Sequence, residues 1–225
     1  MKHVVVIAAS RSGHNWTAKM IKSWLPLEKD GMIHKFEAIT PDQWERRVTD
    51  RVLKGKEYQP DDEIIAFLQV RDFFNFAASW FKYMRRQSQS FKERNVVKLF
   101  DTWEAIAKEA FNETNYIGNK YTLYYDCFVT SEAYRRAVCF IVDGEYTESE
   151  LDFVPTGGRG SSFDHFDFQD NGHEMDVLNR WKWFLTEEGA PYIEQLKLRK
   201  GVVQYYVDHF DLSQRQWQLA NEILR

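Results

Sequence analysis

The sequence predicts an α/β fold in which a mostly parallel central sheet is flanked by helices. Short apolar runs that suit strands alternate along the chain with longer stretches of helical periodicity. The run at 64–70, IIAFLQV, is almost entirely apolar, as is typical of a parallel strand that is covered on both faces. Because such alternation builds strand–helix–strand crossovers, neighbouring strands are expected to run parallel.

Composition predicts a single domain over residues 1–225. Of the 225 residues, 44% are hydrophobic and 16% aromatic, which is enough to bury a substantial core. The net charge of −4 argues against a nucleic-acid partner, which would require a basic face. Cys127 and Cys139 lack metal-ligand spacing and favour a reduced, cytoplasmic protein. The apolar run after His3 is too short for a secretion signal, and no membrane span is expected.

The chain opens with a strand, a small-residue turn and a helix. The apolar run at 4–7 leads into the turn AASRSG, after which apolar residues recur at helical spacing. The first N–H groups of the helix then point into the turn, where the helix dipole favours an anion. Arg11 adds a fixed charge, Ser12 a hydroxyl and Gly13 a close backbone approach. A phosphate site is therefore expected, although an ordinary strand–turn–helix connection has the same outline.

The remaining elements follow from residue type and spacing. β-branched, aromatic or alternating apolar residues predict further strands at 32–39, 64–70, 120–126 and, as an edge strand, 202–207. Helical spacing and caps predict helices at 40–55, 73–86, 90–111, 131–142, 175–186 and 190–198 and after Ser213. Ligands of parallel sheets bind at the carboxyl ends of the strands, where Arg11, Glu37 and Arg71 are expected to lie.

Four segments resemble the sulfotransferase superfamily. Residues 10–16, SRSGHNW, are similar to its 5′-phosphosulfate loop, although His14 and Asn15 stand where the family usually has Thr-Thr. Val70-Arg71-Asp72, with Ser79 eight residues after the arginine, resembles its 3′-phosphate element. The segment 124–126, YYD, resembles its Tyr-Glu-Asp strand, and segments 157–163 and 179–182 resemble its late glycine-containing loop and Trp-bearing helix.

This resemblance implies a P-loop-like, nucleotide-kinase-like architecture and a defined reaction. The enzyme would transfer a sulfuryl group from 3′-phosphoadenosine 5′-phosphosulfate to a hydroxyl or amine of a small-molecule, glycan or lipid acceptor, without a metal. Arg11 would stabilise charge on the leaving phosphate. The residues implied in nucleotide binding are Arg11, Ser12, Gly13, His14, Asn15, Trp16, Arg71, Ser79, Tyr124, Arg159 and Gly160.

Several residues are candidates for the general base. Glu37 lies where the heparan-type branch of the family has its catalytic glutamate, while His34 has a convenient intrinsic pKa. His14 and His165 are further candidates. Of these four residues, Glu37 and His34 are taken as the two alternatives for the catalytic base.

Two other functions remain open at this point. A P-loop kinase or NTPase would carry GxxxxGK followed by Ser or Thr, and this chain lacks the first glycine and the lysine. A catalytically silent nucleotide-binding module would keep the phosphate contacts and lack turnover.

Overall fold

Four strands form one parallel sheet in the part of the chain that the computed structural model describes, namely residues 2–25, 33–37, 43, 63–87, 92–154, 163–164, 168 and 171–225. They are β1 (Lys2–Ala8), β2 (Ile33–Glu37), β3 (Glu63–Val70) and β4 (Lys120–Tyr124). Their order is β2-β1-β3-β4, and all three neighbouring pairs are parallel. The expected α/β fold with a parallel sheet is confirmed.

Eight α-helices are described within the same ranges. They are α1 (His14–Trp24), α2 (Phe73–Arg86), α3 (Glu93–Ala110), α4 (Tyr125–Thr130), α5 (Glu132–Ile141), α6 (Ile193–Leu196), α7 (Lys200–His209) and α8 (Gln214–Leu224). Short 3₁₀ segments cover Gly172–Glu174, Arg180–Leu185, Ala190–Tyr192 and Lys197–Arg199. No helix in the described ranges combines the length and apolar character that a membrane crossing needs.

Strands β1 and β3 are buried on both faces, because their successive residues point to opposite sides and helices cover each side. On one face, side chains of β1 and β3 pack against α2, α3, α7 and α8, and the strand residues are Val5, Ile7, Ala66, Leu68 and Val70. On the other face they pack against α1, α4 and α5, and the strand residues are Val4, Val6, Ile65 and Phe67. Two apolar layers on one sheet explain why β1 and β3 are apolar without alternation.

Four expectations differ from the structure. Residues 202–207 belong to helix α7 and not to an edge strand. The strand expected at 120–126 ends at Tyr124, and α4 begins at the next residue. The regular helix expected at 175–186 is replaced by the 3₁₀ segment Arg180–Leu185, and the one expected at 190–198 is divided between α6 and two 3₁₀ segments.

The α7 correction has a clear physical cause. Its β-branched and aromatic residues favour strands when considered locally. In the structure Val202, Val203 and Tyr206 are completely buried and share one side of the helix, which packs on the core. Burying three large side chains contributes about 1.5–3 kcal/mol each, which outweighs propensity differences of about 1 kcal/mol.

In a sheet with this strand order, a ligand-binding crevice is expected between β1 and β3. From β1 the chain crosses to β2 on one side of the sheet, whereas β3 and β4 follow on the other side. Because of this reversal, the connections that leave the carboxyl ends of β1 and β3 run in opposite directions. The space between these two connections is the usual ligand position in such sheets. The loop 9–13 after β1 and Arg71 after β3 both lie at this edge. The helix expected at 40–55 and most of the loop at 155–172 lie outside the described residues.

Candidate functional site

The loop between β1 and α1 turns through two left-handed residues. Arg11 has φ of 70° and Gly13 has φ of 86°, and the N–H of Ser12 donates to the carbonyl of Ala9 at 3.2 Å. Gly13 is the N-cap of α1, and glycine has no side chain with which to cap the helix. Helix N-termini without a side-chain cap accept anions readily, because their first N–H groups have no acceptor within the helix.

Tyr125 closes this loop from the side of β4. A Cβ atom at position 13 would lie 2.3 Å from Cε2 of Tyr125, so only glycine allows the tyrosine ring to pack here. The ring is 5% exposed, and its centroid lies 4.9 Å from the guanidinium carbon of Arg71. Tyr125 therefore fixes the position of Arg71 relative to the loop through a cation–π contact.

Arg71 joins three separate segments of the chain. Its Nη1 donates to the carbonyl of Arg11 at 3.2 Å and to Oγ of Ser79 at 3.4 Å, and its Nη2 donates to the carbonyl of Val177 at 2.7 Å. The side chain is 1% exposed, and its Nε has no partner among the described residues. The predicted neighbours Arg11, Arg71 and Ser79 are thus in contact at the β1–β3 crevice.

A second buried arginine converges on the same hydroxyl. Nη1 of Arg180 lies 3.3 Å from Oγ of Ser79. The same oxygen accepts a hydrogen bond from Arg71, and the hydroxyl itself donates to the carbonyl of Asn75 at 2.8 Å. Burial and, to a smaller extent, the charge of Arg71 lower the pKa of Arg180 to about 10, against the opposing effect of Asp164. Two guanidinium groups around one hydroxyl make a strongly positive site, which favours an anion.

A buried carboxyl group lies beside this positive site. Asp126, at the start of α4, has its pKa raised to about 6 by burial and by the charge of Asp72, against the opposing effect of Arg71. Its Oδ1 has no partner in the part of the chain that the structure describes. A carboxyl with this pKa can exchange a proton near neutral pH.

The other residues of the predicted phosphate loop differ in accessibility. The guanidinium carbon of Arg11 lies 3.5 Å above the ring of Tyr83 on α2, on the same side of the crevice as Ser79. Ser12 is 1% exposed, and its Oγ has no partner among the described residues. His14 is buried and Asn15 is exposed.

Two other predicted residues, Trp16 and Tyr124, pack against aromatic side chains. The indole N–H of Trp16 donates to the carbonyl of Glu150 at 3.1 Å, and its ring packs edge-on against Phe128. Tyr124 is 40% exposed and stacks on Phe111. These contacts give both rings structural partners, and their role in nucleotide binding stays a prediction.

The proposed base positions follow from the register of β2. Glu37 lies opposite Ala8, the last residue of β1, and is therefore at the carboxyl edge of the sheet. His34 lies opposite Val5, three residues before that edge. Arg159, Gly160 and His165 lie outside the described residues. Among the residues that are described, no group of three or more His, Cys, Asp or Glu side chains could hold a metal ion.

Tyr125, Asp126 and Arg180 lie at the site, although the sequence predicted no role for them. Asp126 lies two residues beyond the end of β4. If the predicted strand had ended at Tyr124, the rule that ligands bind at the carboxyl ends of strands would have indicated Asp126 as a site residue. No sequence signal shows that Arg180 would reach Ser79, because the two residues are 101 positions apart.

Comparisons with protein-family models, with curated proteins and with solved structures found no match to this chain.

Proposed function

We propose that this chain binds 3′-phosphoadenosine 5′-phosphosulfate at the carboxyl edge between β1 and β3 and transfers its sulfuryl group to a hydroxyl or amine of a small-molecule, glycan or lipid acceptor. One observation carries the proposal. Arg71 contacts both the carbonyl of Arg11, in the predicted 5′-phosphosulfate loop, and the hydroxyl of Ser79, in the predicted 3′-phosphate element. The two phosphate-binding elements therefore adjoin, as a nucleotide with phosphates at both ends of its ribose requires.

Each residue of the site would have a role that follows from its position. The N-terminus of α1 would bind the 5′-phosphosulfate, since the helix dipole favours an anion there and its N-cap is a glycine that carries no side chain. Arg71, Ser79 and Arg180 would bind the 3′-phosphate, and Arg11 would stabilise the negative charge that develops on the leaving phosphate oxygen. In the transfer, the acceptor oxygen or nitrogen forms a bond to sulfur, the bond between sulfur and the phosphate oxygen breaks, and the acceptor loses a proton to the base.

The register of β2 favours Glu37 over His34 as that base. A strand advances about 3.3 Å per residue, so His34 lies about 10 Å further from the carboxyl edge than Glu37 does. A general base must come within hydrogen-bond distance of the acceptor proton, which the residue at the edge can achieve more readily.

The test is calorimetric titration with 3′-phosphoadenosine 5′-phosphate and with AMP, which differ only in the 3′-phosphate. We expect the bisphosphate to bind roughly ten- to a hundredfold more tightly, because a charge-assisted phosphate contact contributes about 1.5–3 kcal/mol. Ser79→Ala should reduce this ratio while leaving AMP binding nearly unchanged. Ser23→Ala is the matched control, since Ser23 is also a helical serine that donates to a backbone carbonyl and lies outside the site.

Other outcomes would favour other functions. Equal affinity for the two nucleotides would contradict the proposal, and tight binding of ATP with magnesium would favour a kinase or NTPase. If the bisphosphate binds but no phenol, sugar, lipid alcohol or amine in a panel yields 3′-phosphoadenosine 5′-phosphate from the sulfated donor, a catalytically silent nucleotide-binding module is favoured.

A further inference from the structure

An internal carboxylate lies at the arginine pair. Nη2 of Arg180 donates to Oδ2 of Asp164 at 2.6 Å, while Nη1 of the same guanidinium lies 3.3 Å from Oγ of Ser79. Asp164 is therefore bound by one of the two cations that surround the serine. Arg71, the second cation, makes no ion pair within the described part of the chain, and its hydrogen bonds go to two carbonyls and a hydroxyl.

The neighbouring residue holds Asp164 in this place. The guanidinium carbon of Arg180 lies 5.1 Å from the ring centroid of Phe163, and Nζ of Lys82 lies 3.9 Å from it. Phe163 also packs against the core on the α2 side of the sheet. Lys82 follows Ser79 by three positions on α2 and so adds a third positive charge on the same side of the helix.

Asp164 is also the accessible member of the pair. Its side chain is 17% exposed, compared with 6% for Arg180, while Ser79 is completely buried. A ligand anion that approaches the two arginines from solvent would meet Asp164 first. A carboxylate offers one negative charge, whereas a phosphate group offers up to two and three acceptor oxygens.

We propose that Asp164 is a resident anion that occupies the phosphate site formed by Arg71, Ser79 and Arg180, and that a ligand phosphate must displace it to bind. The contact is autoinhibitory, because the free energy of the Asp164–Arg180 ion pair is subtracted from that of ligand binding. This inference rests on the proposed function for the identity of the ligand as a 3′-phosphonucleotide. The competition itself applies to any phosphate that enters the site.

The experiment removes the negative charge of Asp164 and keeps the shape of its side chain. Asp164→Asn should bind 3′-phosphoadenosine 5′-phosphate roughly tenfold more tightly than the unsubstituted chain in calorimetry, while AMP affinity stays the same. Inorganic phosphate should also raise the melting temperature of this variant more than that of the unsubstituted chain. The matched control is Asp176→Asn, which removes the same charge from an exposed aspartate that bonds only to Asn179 among the contacts described. Far-UV circular dichroism verifies that each variant is folded, and Asp164→Glu, which keeps the charge, should show no gain.

The outcomes separate this inference from the proposed function. If the unsubstituted chain prefers the bisphosphate over AMP and Asp164→Asn gives no gain, the resident-anion inference is wrong and the function stands. If there is no such preference but Asp164→Asn gains affinity for inorganic phosphate, the inference stands and the nucleotide assignment fails. If neither effect occurs, both are overturned.

Discussion

At Asp126, burial and a neighbouring like charge act together against ionisation. Burial and the charge of Asp72 together raise the pKa of this carboxyl from 3.8 to about 6, against the opposing effects of Arg71 and of the N–H of Asp72. The folded protein therefore binds the proton more tightly than the unfolded chain does. Between pH 4 and 6 this group makes the free energy of unfolding fall as the pH rises.

Replacing the ionisable carboxyl of Asp126 is therefore expected to stabilise the folded protein. Asp126→Asn should raise the free energy of unfolding by about 1–3 kcal/mol at pH 8, because a shift of two pKa units corresponds to about 3 kcal/mol of unfavourable ionisation. The gain should disappear below pH 4, where the carboxyl of the unsubstituted chain is protonated. Urea unfolding at pH 4 and pH 8 measures both values. A gain of the same size at both pH values would mean that ionisation of Asp126 is not its cause.

At the scale of elements, Glu109 closes the connection between α3 and β4. It is completely buried near the end of α3, and its two oxygens accept hydrogen bonds from Thr114 Oγ1 and from the backbone N–H groups of Tyr116 and Ile117. Nζ of Lys120, at the start of β4, completes the set as an ion pair. Burial alone would raise the pKa of Glu109, but Lys120 and these hydrogen bonds outweigh it, so the pKa is lowered.

We expect Glu109→Gln to lower the free energy of unfolding by about 3–5 kcal/mol, because it leaves the charge of Lys120 buried without its counter-ion. Adding Lys120→Met should recover part of this loss by removing that charge. The control is Glu132→Gln, which breaks an exposed pair with Arg136 on α5 and should change stability by less than about 0.5 kcal/mol. Equal losses in the two single variants, measured by urea unfolding, would contradict the proposed role of burial.

At the scale of the whole molecule, local patterns predicted the elements better than the contacts between them. The apolar runs of β1 and β3 and the cap at Ser213 before α8 were predicted correctly, because each depends on neighbouring residues. Helix α7 was missed because its conformation is decided by burial against distant segments. In the same way, the position of Arg71 was expected from the end of its strand and that of Ser79 from the family resemblance, whereas Arg180 enters the site through a contact that no local pattern encodes.

Contacts between distant segments also tie the C-terminal helices to the site. Oδ2 of Asp72, the N-cap of α2, accepts hydrogen bonds from the hydroxyl of Tyr206 on α7 and, at 3.0 Å, from Nε2 of Gln216 on α8. Gln216 Nε2 also lies 3.2 Å from the hydroxyl of Tyr206, so α2, α7 and α8 share one buried polar cluster next to Arg71. Burial raises the pKa of Asp72, and the hydrogen bond from Tyr206 opposes that shift most strongly. If residues 1–225 form a single domain, this cluster couples the unfolding of the C-terminal helices to that of the sheet.

Tyr206→Phe tests that coupling. Loss of a buried hydrogen bond to a carboxyl should lower the free energy of unfolding by about 1.5–3 kcal/mol. Tyr205→Phe is the control on the same helix, because its hydroxyl bonds to Glu113, which is more than a third exposed, and its loss should cost less than about 1 kcal/mol. In a single domain, far-UV circular dichroism and tryptophan fluorescence should report one urea transition, and Tyr206→Phe should shift both signals together. Two separated transitions, with only one of them moved by the substitution, would show instead that the C-terminal helices unfold independently of the sheet that carries the site.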